Sequence, residues 1–104
     1  MYGRMATYTV SGDVYDLARR AEAGILPILQ VQPGFKAYTV AADDGQIFSL
    51  SSWDTRDDAE AGSKAVAAWV ADNMRDELDL LEIRYAEILF STSLGVTTKA
   101  TATA

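Results

Sequence analysis

Phe35-Lys36-Ala37-Tyr38-Thr39-Val40-Ala41-Ala42, then Asp43-Asp44-Gly45, then Gln46-Ile47-Phe48-Ser49-Leu50-Ser51-Ser52-Trp53 is the stretch from which the fold follows. Its two outer runs are rich in β-branched and aromatic residues, which fit a pleated surface. The Asp-Asp-Gly between them tolerates the positive φ that a tight reversal demands. The stretch therefore predicts an antiparallel hairpin. Side chains alternate along a strand, so Phe48 and Leu50 point one way while Ile47 and Trp53 point the other. Both faces of the hairpin are apolar, and both need cover.

Upstream, Pro33-Gly34 separates the hairpin from a helical pattern in which Val14, Leu17, Ala18, Ala21 and Ile25 recur at three and four. Asp13 is placed to cap that helix and Asp16 to sit at its positive end. Pro27 removes a backbone donor and crowds the preceding turn, which predicts a kink or a short second piece through Leu29. Ahead of Ser11-Gly12-Asp13, residues Gly3 to Val10 read as a first strand.

Downstream, Thr55-Arg56-Asp57-Asp58 opens a second helix as a variant capping box, the threonine oxygen accepting from an orphan amide. Ala59, Gly62, Ser63, Val66, Trp69, Val70, Asn73 and Met74 then form one broad stripe that should lie on a sheet. A polar exit, Arg75-Asp76-Glu77, leads to a last strand from about Leu81 to Ser91, along which Ile83, Tyr85 and Leu89 oppose Ala86, Ile88 and Phe90. Residues 1–92 make one domain, and residues 93–104 are a Thr/Ala tail, flexible or added to a neighbouring sheet edge.

The element order is βαββαβ, an α+β chain with a four-stranded antiparallel sheet of ferredoxin-like type. Right-handed crossovers put both helices on the same side of such a sheet. The second apolar face would then stand in water, and a two-fold pairing of sheet on sheet removes it without another gene product. The chain is expected to work as a homodimer through that face.

Composition prunes the chemistry. With no cysteine and no histidine the chain lacks thiolate nucleophiles, thiolate metal sites and the commonest general base, so no metal or other cofactor is expected. Nine basic residues against 15 acidic ones give a net charge of −6, which repels phosphate backbones and anionic lipid, so neither nucleic acid nor membrane is expected as a partner. No run approaches the roughly 18 to 20 apolar residues that span a bilayer, and the start has no apolar leader; the default expectation is a cytoplasmic protein.

Three stretches carry a resemblance: Ile25-Leu26-Pro27-Ile28-Leu29-Gln30-Val31-Gln32-Pro33-Gly34-Phe35, Ser51-Ser52-Trp53-Asp54 and Ala86-Glu87-Ile88-Leu89-Phe90. Over residues 4 to 92 the chain resembles the antibiotic biosynthesis monooxygenase-like domains of the dimeric α+β barrel superfamily. The resemblance implies a homodimer whose sheets form a joint barrel, with a pocket between sheet and helices in each protomer. Some relatives oxygenate polycyclic aromatic substrates without metal or flavin and others degrade haem. The haem-degrading branch fits poorly, because its iron-ligating histidine has no counterpart here.

Oxygenation without a cofactor needs an electron-rich, deprotonated substrate held dry and oriented, with hydrogen bonds to a phenolate-like oxygen. On that reading Trp69 and Asn73 are the catalytic candidates, and Trp53, Tyr38, Tyr85 and Arg84 the substrate-binding ones. Each also has a structural reading: Trp69 as core, Asn73 bonded to backbone, Arg84 paired with Glu82 or Glu87. The acidic run Asp72, Asp76, Glu77, Asp79 and Glu82 reads as a solvated helix end. Two functions follow, a binder of a small aromatic or apolar molecule with cofactor-independent monooxygenase activity, or a non-catalytic ligand-sensing or assembly module.

Overall fold

The computed structural model describes residues 1–99, and the end of the Thr/Ala tail lies outside them. The order is β1 (Tyr2–Val10), α1 (Val14–Gln30), β2 (Phe35–Asp43), β3 (Gln46–Trp53), α2 (Arg56–Asn73) and β4 (Leu78–Glu87). The four strands form one antiparallel sheet in the order β2-β3-β1-β4, which is the ferredoxin-like α+β arrangement expected. At the β2–β3 hairpin, Asp43 faces Gln46 and the two turn residues have positive φ, 48° at Asp44 and 74° at Gly45. That twist matches the twist of the strands it joins.

Both helix starts are capped as their sequences require. The Asp13 carboxylate accepts from the amides of Tyr15 and Asp16, and the Thr55 hydroxyl accepts from the amide of Asp58 at 3.1 Å. Pro27 does not divide α1, which runs as one helix through Gln30. The reason lies in its orientation: Pro27 and Ala23, whose carbonyl loses its donor, both face solvent, where water replaces the missing bond.

β4 begins and ends earlier than the sequence pattern indicates. It pairs with β1 from Leu78↔Val10 to Tyr2↔Glu87, and the last bond of the ladder is Ile88 N–H to the Met1 carbonyl. The length of β1 therefore sets the length of β4, and Leu89 and Phe90 lie past its end. Residues 91–96 close a separate turn in which Ser91 and Val96 exchange backbone hydrogen bonds. An extra residue, Leu81, bulges β4 opposite Thr7 and Tyr8.

Pairing register fixes the two faces of the sheet. Arg4, Ala6, Tyr8, Ile47, Ser49, Ser51 and Trp53 look toward the helices, where most are buried. Met5, Phe48 and Leu50 look the other way and are 41%, 40% and 44% exposed. The core is Leu17, Ala21, Ile25 and Leu29 of α1 against Ile47, Trp53, Ala59, Val66 and Met74. β4 lies beyond the helices' cover, so Leu80 and Ile83 stay exposed although they share the helix-bearing face.

Two glycines set the helix spacing. Trp53 is fully buried, stacks edge-on to Phe35 with ring centroids 5.4 Å apart, and lies directly under Gly62 of α2. Trp69 of α2 lies in the same way against Gly24 of α1. A β-carbon at either glycine would enter the indole ring. Alanine gains up to about 1 kcal/mol of helix propensity over glycine, whereas overpacking a sealed site costs about 1–3 kcal/mol. Gly62→Ala should therefore lower stability in urea denaturation, because Trp53 has nowhere to go. Gly24→Ala should cost less, because the half-buried Trp69 can swing toward solvent.

Candidate functional site

The helix-bearing face of the sheet reads as rows across the four strands. One row is Phe35, Trp53 and Tyr2; the next is Tyr38, Ser51, Arg4 and Tyr85; then Val40, Ser49, Ala6 and Ile83; then Ala42, Ile47, Tyr8 and Leu80. Large side chains stand toward both ends and small ones in the middle. α1 and α2 rest on the large residues and bridge the small ones. Beneath them is a cavity of about 240 Å³, floored by Tyr8, Tyr38, Ile47 and Ser49 and walled by Leu17, Ala21 and Ile25 of α1 with Val66 and Val70 of α2. That volume suits a ligand of one or two rings, at the small end of binding pockets.

The walls are aliphatic and the polar groups are confined to the floor. Desolvation pushes the Tyr38 hydroxyl up to about 12, with Tyr8 adding to the shift and the positive charge of Arg4 opposing it. Tyr38 is thus a neutral hydrogen-bond donor throughout the physiological range. The Ser49 hydroxyl is buried and makes no hydrogen bond among the described residues. Glu22 stands at the rim, exposed on α1.

Arg4 lies behind this floor and is only 6% exposed. Its Nε donates to Ser63 Oγ of α2 at 2.7 Å, and its Nη2 reaches along the strand past Ala6 to donate to Tyr8 Oη at 3.4 Å. The neighbouring Ser51 hydroxyl accepts from Trp53 Nε1 at 2.8 Å.

Of the residues singled out from sequence, the cavity takes in Tyr38. Trp53 is sealed in the core beside it. Tyr85 is on the same face, in the row of Arg4, with the Arg56 guanidinium 5.5 Å above its ring. Trp69 packs against α1, and Asn73 is exposed at the end of α2, where its Nδ2 donates to the Trp69 carbonyl at 2.8 Å. Arg84 pairs across the sheet with Met5, which puts it on the opposite face beside Glu82, 3.6 Å away. The sequence reading missed Arg4, Tyr8, Ser49 and Ser63. A signal was present: period two places Arg4 and Tyr8 on one side of β1, and two serines between Ile47 and Trp53 on the inward side of β3.

No family model matches the sequence, and no curated protein matches it either. Solved structures do match in shape. A protein from Nitrosomonas europaea, provisionally named an antibiotic biosynthesis monooxygenase, superimposes with a TM-score of 0.68 at 20% identity over 86% of this chain and 100% of its own. SnoaB from Streptomyces nogalater, a cofactor-independent oxygenase, gives 0.68 at 17% identity over 88% of this chain and 95% of its own. MupZ from Pseudomonas fluorescens gives 0.69 at 8% identity over 81% of this chain, which spans 65% of MupZ, just under two thirds. At these identities the likeness is one of architecture, and on it the chain has the fold of the antibiotic biosynthesis monooxygenase-like proteins.

Proposed function

We propose that this protein is a homodimer that binds a small aromatic or otherwise apolar molecule between its sheet and helices, with cofactor-independent oxygenation as the activity. The observation that carries the reading is the cavity itself, aliphatic on its walls and lined by tyrosine and serine hydroxyls on its floor. Such a floor orients a phenolic or carbonyl oxygen, while dry walls exclude the water that would compete for it. SnoaB, with the same fold, is a cofactor-independent oxygenase. In this reading Tyr38 and Tyr8 are the ligand's hydrogen-bond partners. Trp53 and Tyr85 support them from the neighbouring rows. Trp69 and Asn73 act at the α1–α2 seam, outside the cavity.

A second reading, a ligand-sensing or assembly module without catalysis, is favoured by one feature of the floor. Tyr38 is held protonated, so it donates a hydrogen bond and does not serve as a base that would ionise the substrate.

The open face supports the dimer. Met5, Phe48 and Leu50 line a shallow apolar groove with Thr7, Thr39 and Ala41, bordered by Glu82 and Arg84. A second copy related by a two-fold axis brings the same groove to its own face and buries it.

Light scattering should show a particle of two chains, and Leu50→Asp should reduce it to one, because a carboxylate cannot be buried there unpaired. A panel of phenols and quinols should raise the melting temperature of the wild type. Ala18→Phe, a half-buried wall position, should abolish that shift by filling the void. Oxygen consumption with any compound that binds supports the oxygenase reading; binding with no consumption leaves the sensing module. If Trp69 and Asn73 act in the reaction, Trp69→Phe and Asn73→Ala should lower consumption and leave binding intact.

Tyrosinate absorbance should show one group titrating near pH 12, missing in Tyr38→Phe. The native state keeps this proton after the unfolded chain has lost it, so stability should fall as pH rises from about 10 through 12 and be unaffected below.

A further inference from the structure

A guanidinium stays charged at every relevant pH and carries five N–H donors. Arg4 is 6% exposed, and its hydrogen bonds use one donor on Nε and one on Nη2, both to neutral hydroxyls. Every other ion pair of the described residues involves a different cation, and no carboxylate lies within 4 Å of Arg4. A buried charge without a counterion costs several kcal/mol, and hydroxyl dipoles return only part of that. The fold keeps this cost at one place, the row of the sheet next to the cavity floor.

A second observation lies on the same floor. Ser49 is 5% exposed, lines the cavity, and its hydroxyl has no partner among the described residues. An orphaned buried hydroxyl is itself costly and calls for an acceptor or donor that the protein does not supply. Tyr8 joins the two features, since it accepts from Arg4 and lines the void. Arg4, Tyr8, Ser49 and Tyr38 thus offer positive charge and hydroxyl donors toward one small volume, with aliphatic residues everywhere else.

We propose that the cavity selects its ligand as an anion: an apolar molecule of one or two rings bearing a single acidic group, a carboxylate or an acidic phenol or enol, held by the Tyr8, Tyr38 and Ser49 hydroxyls with Arg4 as the counter-charge. This rests on reading the cavity as the ligand site. Glu22 at the rim is exposed and screened by water, so its repulsion is weak beside the attraction of a buried guanidinium. The two neutral acceptors that Arg4 now has leave it free to turn toward an anion without breaking an ion pair.

The test compares two probes of one shape, 2-naphthoate and its neutral amide, by calorimetry with the full chain. Wild type should bind the carboxylate at least tenfold more tightly than the amide. Arg4→Lys should keep part of that preference, and Arg4→Met should lose it while still binding the amide. Because Arg4→Met removes a buried bond to α2 and can fail to fold, the wild-type pair is the deciding measurement, with Ser49→Ala as a variant that leaves Arg4 in place and should weaken the carboxylate more than the amide. Equal affinity for the two probes, or tighter binding of the amide, overturns the charge preference and leaves the cavity as a neutral site. Binding of neither probe, where Ala18→Phe also changes nothing, overturns both the preference and the ligand site.

Discussion

Two helices have to cover a sheet of four strands, and here they cover it without touching its middle. They stand on Trp53 toward one end of the central strands and on Tyr8 and Ile47 toward the other. Between those supports the sheet carries Ala6, Ser49 and Ser51, side chains too short to reach the helices. Close packing normally removes such a gap. Here the bulk is placed at the ends, and Gly62 and Gly24 let the indoles set how near the helices come. The void, its dry walls and its polar floor all follow from that distribution of side-chain size.

The same distribution explains where the polar groups sit. A hydroxyl or a guanidinium in a filled core would have to be bonded at once. Next to a void it can be served by whatever enters. Ser51 is satisfied by Trp53 because that part of the face is filled, whereas Ser49, one row further along, opens onto empty space. Arg4 lies at the border of the two regimes, tied to α2 on one side and to the cavity floor on the other.

Most of the architecture was legible in the sequence because it is set locally. Turn chemistry located the β2–β3 hairpin, side-chain caps located both helix starts, and alternation gave the two faces of β3. Two features were not local. The extent of β4 depends on how far β1 reaches, and no pattern within β4 records that. The cavity depends on which segment of the α2 stripe lies above small residues of β1 and β3, so helical spacing marked Trp69 and Asn73 as inward without telling them from Val66 and Val70. Strand period alone separates Arg84 from Tyr85; only the pairing of β4 with β1 says which of the two faces the helices. Arg4 was overlooked for a related reason, since a charged residue in a strand reads as solvent-facing until its neighbours across the sheet are known.

β1 is the first strand to be made and one of the two innermost in the finished sheet. Its two neighbours, β3 and β4, lie at residues 46–53 and 78–87. During synthesis the hairpin and both helices can form within the emerging chain, but the strand that binds them waits unpaired, with its backbone groups open, until nearly the whole domain has left the ribosome. Contacts this distant in sequence are slow to form, because loop entropy is spent before pairing repays it. The interval during which Tyr2–Val10 is exposed is therefore fixed by chain order and not by the strength of any bond it later makes, and it is in that interval that the nascent protein most needs a chaperone's protection.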